Sequence, residues 1–251
     1  MKKQLYYFCI AILLFSCEKG SDDINLNSSI GSEGVGVGGS LARFAIVGNS
    51  LFTVDHQSLN QFTLDANGIP NSPLSRVIGD GIETIFPFKG YLYIGTMTGM
   101  HIYDISNGGF SHLSITTHIT SCDPVVANDS LAFLTLRSNP ALGRCMRGAN
   151  ELQVYDVTDP INTKFISRTI MQSPLGLGLF QNKLFVCDKG IKVFDYSNPA
   201  QPSLIQHLNT LEVMDVIPLQ NHLLFLAPDA LYQYAYSNNN FQLISKLSKD
   251  L

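Results

Sequence analysis

The sequence of 251 residues contains no tryptophan and few charges: Asp, Glu, Lys and Arg make up 14 % of it, against about 25 % in average proteins. Its net charge of −4 lacks the basic footprint of a nucleic-acid binder, so nucleic acid is excluded as a partner class. No G-x-S-x-G, Walker loop, H-E-x-x-H or C-x-x-C is present, which leaves the commonest hydrolase, nucleotide, zincin and redox signatures unfilled. Six histidines (His56, His101, His112, His118, His207 and His222) show no metal-ligand spacing, and nothing implies a cofactor. The apolar run Leu5–Phe15 has 11 residues, well short of the roughly 20 that a membrane-spanning helix needs. What the chain does have is 20 Gly, 15 Phe and 10 Tyr, a composition suited to an all-β protein with many tight turns.

The first 16 residues read as an export signal. Lys2 and Lys3 supply a positive start, Leu5–Phe15 the apolar centre, and Leu14-Phe15-Ser16-Cys17 the end. These four residues resemble the lipobox of bacterial lipoprotein precursors. The resemblance implies that Cys17 is acylated and that the bond before it is cut. Two or three acyl chains anchor a protein stably, since each buried CH₂ adds about 0.8 kcal/mol. The acidic stretch after Cys17, Glu18 to Asp23, resembles the surface-export signals of Bacteroidota lipoproteins. That implies the outer membrane with outward display; a periplasm-facing anchor is the alternative. Residues 17–40 are expected to be a tether. Gly34-Val35-Gly36-Val37-Gly38-Gly39 matches G-x-G-x-x-G by letter, but no strand precedes it, so it reads as linker rather than a dinucleotide loop.

From Leu41 onward the chain repeats. A turn followed by an apolar strand recurs with marker leucines at 51, 92, 131, 184 and 223. A second marker follows each, as in Met100 to Asp104, Leu152 to Asp156 and Ile191 to Asp195. A period near 40 with four short strands per unit is the mark of a propeller. Five repeats, about 41–81, 82–120, 121–172, 173–211 and 212–251, predict a five-bladed β-propeller of four-stranded antiparallel blades. In the second repeat the strands are expected at 83–88, 91–96, 100–105 and 112–117. Asp104, Asp156 and Asp195 precede turns and read as turn caps.

The second marker resembles the LVIVD repeat of bacterial and archaeal surface propellers, most closely at Leu152 to Asp156 and Ile191 to Asp195. All five repeats fall under the resemblance. Repeats one and five depart from it, with Thr63 and Ala235 in place of the Asp, as end repeats do. The resemblance implies a fold and no single activity.

In such a blade the start of the first strand and the loop between the second and third lie on one face. The 53-residue step marks an insertion at about Arg137 to Asn150 in that loop of repeat three. It carries Cys145, and Cys122 begins the same blade, so a Cys122–Cys145 disulfide is expected. Closing a loop of this size contributes about 3 kcal/mol. Cys187 reads as a small core residue. Arg137, Arg144 and Arg147 lie in or beside the insertion; they suit an anionic ligand or a solvated loop. His118 is expected near the same rim. Counting back from the marker leucines gives Arg43, Thr84, Asp123, Gly176 and Asp215 as a ring at the channel mouth. Asp123 and Asp215 there could act as paired hydrolytic carboxylates, or be held by Arg43 in an ordinary ion pair. The leading expectation is a non-catalytic module that binds a protein or glycan. The alternative is a carbohydrate-active hydrolase.

Overall fold

The structure is a computed structural model that describes residues 38–118, 124–138 and 149–249. It is all β. Blade 1 is β1 (Phe44–Val47), β2 (Ser50–Val54), β3 (Ser58–Thr63) and β4 (Leu74–Val77). Blade 2 is β5 (Ile82–Phe88), β6 (Tyr91–Thr96), β7 (Gly99–Asp104) and β8 (Ser111–Thr117). Blade 3 is β9 (Val125–Ala127), β10 (Leu131–Leu136), β11 (Glu151–Asp156) and β12 (Lys164–Ile170). Blade 4 is β13 (Leu177–Phe180), β14 (Lys183–Cys187), β15 (Ile191–Asp195) and β16 (Ser203–Leu208). Blade 5 is β17 (Asp215–Pro218), β18 (Leu223–Leu226), β19 (Ala230–Ser237) and β20 (Asn240–Ser248). Every blade is an antiparallel meander in sequence order, the predicted five-bladed propeller. Residues 1–37 lie outside the described residues, and with them the expected signal, Cys17 and most of the tether.

Each blade starts at the centre. β1 lies beside β5, β5 beside β9, β9 beside β13, and β13 beside β17. The first turns of blades 1, 2 and 4 run through positive φ, at Gly48, Lys89-Gly90 and Gln181-Asn182. The Asp that ends the third strand caps the next turn as expected. Asp104, Asp156 and Asp195 accept the amides of Ser106, Thr158 and Ser197 at 2.8, 2.9 and 2.8 Å. Their pKa values are lowered, first by the Ser106 hydroxyl at Asp104, the Thr158 hydroxyl at Asp156 and the Lys183 ammonium at Asp195, and then by these amides. In blades 2 to 5 a β-bulge interrupts the pairing of the third and fourth strands one to two residues before this point.

The core is divided among the seams between blades, because a strand's side chains alternate between two sheet faces. In blade 4, Leu184 and Val186 face blade 3, whereas Phe185 and Cys187 face blade 5. Four apolar clusters result, one for each seam from blade 1/blade 2 to blade 4/blade 5. Cys187 is fully packed in the last of them, and burial pushes its thiol well above the ordinary range. Short polar ties repeat at the outside. Ser114 Oγ donates to Pro160 O and Ser167 Oγ to Pro199 O, both at 2.6 Å, each reaching the next blade.

Strand pairing corrects one alignment. Leu92, Leu184 and Leu223 are equivalent to Ala132 in blade 3, because Ala132 pairs Ala127 as Leu92 pairs Pro87. Leu131 faces the opposite way, toward blade 4.

Candidate functional site

The channel mouth forms where the first strands begin. With the corrected register its equivalent residues are Arg43, Thr84, Pro124, Gly176 and Asp215; Thr135 N reaches Pro124 O at 3.2 Å. Pro124 therefore takes the place expected for Asp123, which lies outside the described residues. Arg43 does not pair with Asp215. Its guanidinium donates to Ile82 O at 2.7 Å and Glu83 O at 3.1 Å, tying blade 1 to blade 2.

Asp215 is held instead by the segment just before blade 1. Ser40 Oγ donates to its carboxylate at 2.9 Å and Leu41 N at 3.2 Å. Ser40 Oγ also accepts Leu177 N at 2.8 Å, so one buried hydroxyl links blades 4 and 5 to blade 1. The carboxylate lies against Gly39 and Gly176, and a Cβ on either would overlap it. Burial raises the pKa of Asp215, against its hydrogen bonds from Ser40, Leu41 and Val216. A carboxylate walled in this way serves to close the ring. Ser40 and Gly39, assigned to the tether from composition, belong to the fold.

The insertion leaves β10 and returns at β11. Arg137 at its root is half-buried, and its Nε has no partner among the described residues. Ser138 N donates to Asn150 Oδ1 at 2.8 Å, and Asn150 Nδ2 to Gln172 O at 2.8 Å. Cys122, Cys145, Arg144 and Arg147 lie outside the described residues.

Beside the root of the insertion, the blade 2/blade 3 seam opens into a groove of about 450 Å³. Thr116 and His118 contribute from the blade 2 side, and Glu151, Gln153, Tyr155, Phe165 and Arg168 from blade 3. Alternate residues of β11 project to one side, so Glu151, Gln153 and Tyr155 form a ladder. Tyr155 Oη donates to Gln153 Oε1 at 2.7 Å, and Gln153 Nε2 to Glu151 Oε1 at 2.6 Å. Gln153 pairs across the strands with Arg168. Phe165 stands edge-on to Tyr155, ring centroids 5.5 Å apart. His118 is the expected rim residue that reaches this groove. In sequence, Gln153 and Tyr155 fall inside the second marker and Glu151 just before it.

A second cavity, about 590 Å³, lies at the opposite end of the blade 3/blade 4 seam, among first-turn and third-turn residues. It holds the Lys183–Asp195 ion pair (2.7 Å) and Tyr196. No group of three metal-ligating side chains occurs among the described residues.

No curated protein matches this sequence. Residues 89–116 and 181–210 match the model of the LVIVD repeat. Among solved structures, a protein from Lactobacillus plantarum superposes with a TM-score of 0.65 at 13 % identity. That match covers 81 % of this chain and 73 % of the other. A functionally unknown protein from Desulfotomaculum acetoxidans DSM 771 gives 0.66 at 11 %, covering 89 % and 73 %. BamB from Moraxella catarrhalis gives 0.57 at 10 %, covering 77 % and 56 %. At such identities the likeness is one of fold. The chain is thus a five-bladed β-propeller carrying LVIVD repeats.

Proposed function

We propose that this protein is an outer-membrane lipoprotein, anchored through Cys17 and displayed at the cell surface, whose propeller binds a glycan without transforming it. The groove between blades 2 and 3 carries this reading. A binding site is a concavity with aromatic walls and a few convergent polar groups. Here a carboxylate, a planar amide, a phenol and a guanidinium converge beside Phe165. Paired donors and acceptors of this kind match the adjacent hydroxyls of a sugar, and the Glu151–Gln153–Tyr155 chain fixes their orientation. The groove's own guanidinium, Arg168, and the three arginines that the sequence places in the insertion, Arg137, Arg144 and Arg147, favour an acidic sugar.

The test is capture on an oligosaccharide panel by the full chain and by variants Gln153→Ala, Arg168→Ala and the triple Arg137→Ala/Arg144→Ala/Arg147→Ala. Each groove variant should weaken capture by about tenfold, the effect of roughly 1.4 kcal/mol. Binding that survives all three, or capture of a protein in place of any glycan, overturns the glycan assignment. The anchor is tested separately. Cys17→Ser should abolish incorporation of a labelled fatty acid, and intact cells should expose the wild-type protein to added protease.

A further inference from the structure

Outside the groove, His101 and His112 face each other at the rim of blade 2. His101 Nδ1 and His112 Nε2 are 3.3 Å apart. The arrangement is built by a β-bulge. β7 and β8 pair His101 with Ile115 and Ile102 with Ser114, then skip Leu113 and pair Tyr103 with His112. A residue extra to the ladder re-aims the side chains after it, so His112 joins the sheet face of His101 and Tyr103. Tyr103 braces both rings. It stacks on His101 with planes 13° apart, and its centroid is 5.0 Å from that of His112. Phe110 packs edge-on against Tyr103 from behind, at 6.0 Å.

We propose that His101 and His112 form a bidentate site for a zinc-class divalent cation, with the remaining coordination positions open to water or to a donor from another molecule. The argument is geometric. Two zinc–imidazole bonds of about 2.0–2.1 Å at a tetrahedral angle place their nitrogens about 3.3–3.4 Å apart. The observed spacing matches that bite, with His101 partly buried beside Tyr103 and His112 at the exposed edge. Imidazole suits zinc, copper and nickel rather than magnesium or calcium. The proton shared between the facing nitrogens moves to the far nitrogen of its own ring when the cation enters. No other group must change its protonation.

The experiment is a calorimetric titration of the full chain with zinc in a non-coordinating buffer at neutral pH. Variants are His101→Ala, His112→Ala, His112→Asn and, as a control, His222→Ala. One saturable site is expected. Removing either ligand should weaken it by more than the roughly tenfold that loss of an outer-shell partner costs, and His222→Ala should leave it unchanged. His112 is exposed, so its variants report on ligation even if His101→Ala fails to fold. Absence of saturable uptake by the wild type, or uptake retained by both His112 variants, overturns the proposal.

Discussion

Among the described residues, apolar clusters pack four seams of this propeller and none packs the fifth. Between blades 4 and 5, Phe185, Cys187, Ile191 and Val193 are all essentially inaccessible. Their equivalents on the outer side of blade 5 are Leu224, Leu226, Leu231 and Gln233, none of them buried, with Leu226 at 41 % exposure. The same holds across the gap. Leu92, Ala132, Leu184 and Leu223 are fully buried against the preceding blade, while Leu51 is half-buried and Phe44 is 59 % exposed. Among the described residues no apolar cluster joins blade 5 to blade 1. A polar stitch, Ser40 on Asp215 and Leu177, connects them at the axis instead. One fold thus uses two fastenings: apolar area along four seams, and buried hydrogen bonds at the fifth.

The sharpest contrast is between equivalent leucines. Leu184→Ala should cost about 2–5 kcal/mol, as large-to-small changes in packed cores do. Leu51→Ala should cost less, about 1 kcal/mol, since Leu51 is only partly buried. Chemical denaturation of both variants reads the difference, and equal costs would mean that the fifth seam is packed like the rest.

Asp188 gives the next largest effect. Its side chain is inaccessible, and it accepts Lys192 Nζ at 2.7 Å and the amides of Ser173 and Gln172 at 2.6 and 3.1 Å. Burial raises its pKa, but these bonds outweigh it and the net shift is downward. The folded value lies below the unfolded one, so its stabilisation is complete above about pH 4 and is lost as pH falls through the folded value. Asp188→Ala, which strands Lys192, should cost about 3 kcal/mol at neutral pH. The variant should also flatten the acid limb of an unfolding-versus-pH profile.

At the stitch, Ser40→Ala should cost about 1–3 kcal/mol, because Leu177 N and the Asp215 carboxylate each lose a buried partner. Asp215→Asn keeps an acceptor and removes a buried charge. The raised pKa means that the charged form opposes folding as pH rises through it, so this variant should match or exceed the wild type in thermal melts at neutral pH. The smallest effect belongs to the open face. Leu226→Lys and Leu247→Lys should shift stability by no more than about 0.5 kcal/mol, whereas a large loss would reveal hidden packing there.

Much of the propeller was legible in the sequence. Strands expected at 91–96 and 112–117 form at 91–96 and 111–117, because the turn and apolar markers report the strand period directly. The failures have physical causes. Leu131 was matched to Leu92 since both are leucines after a turn, but a one-residue slip reverses a strand's faces. That slip put Asp123 where Pro124 stands. Ser40 sits in a glycine-rich stretch that reads as tether, and its burial depends on Asp215, 175 residues away. Arg43 was placed correctly by the repeat, but its side chain found backbone carbonyls of blade 2 nearer than a carboxylate. The bulges that aim His112 and the groove residues leave no mark in apolar periodicity. Gln153 and His101 lie inside copies of the second marker, but nothing in the pattern says that one borders a groove and the other faces a second histidine.

Native-state hydrogen exchange tests the two-fastening account most directly. Backbone amides at the centre of blade 3, such as Phe133 and Leu134 on β10, should exchange only by global unfolding. Those of β2 in blade 1 and β18 in blade 5 should open at a measurably lower free energy, and Ser40→Ala should lower that opening energy further without touching β10. Uniform protection across all five blades, unchanged by Ser40→Ala, would contradict the account.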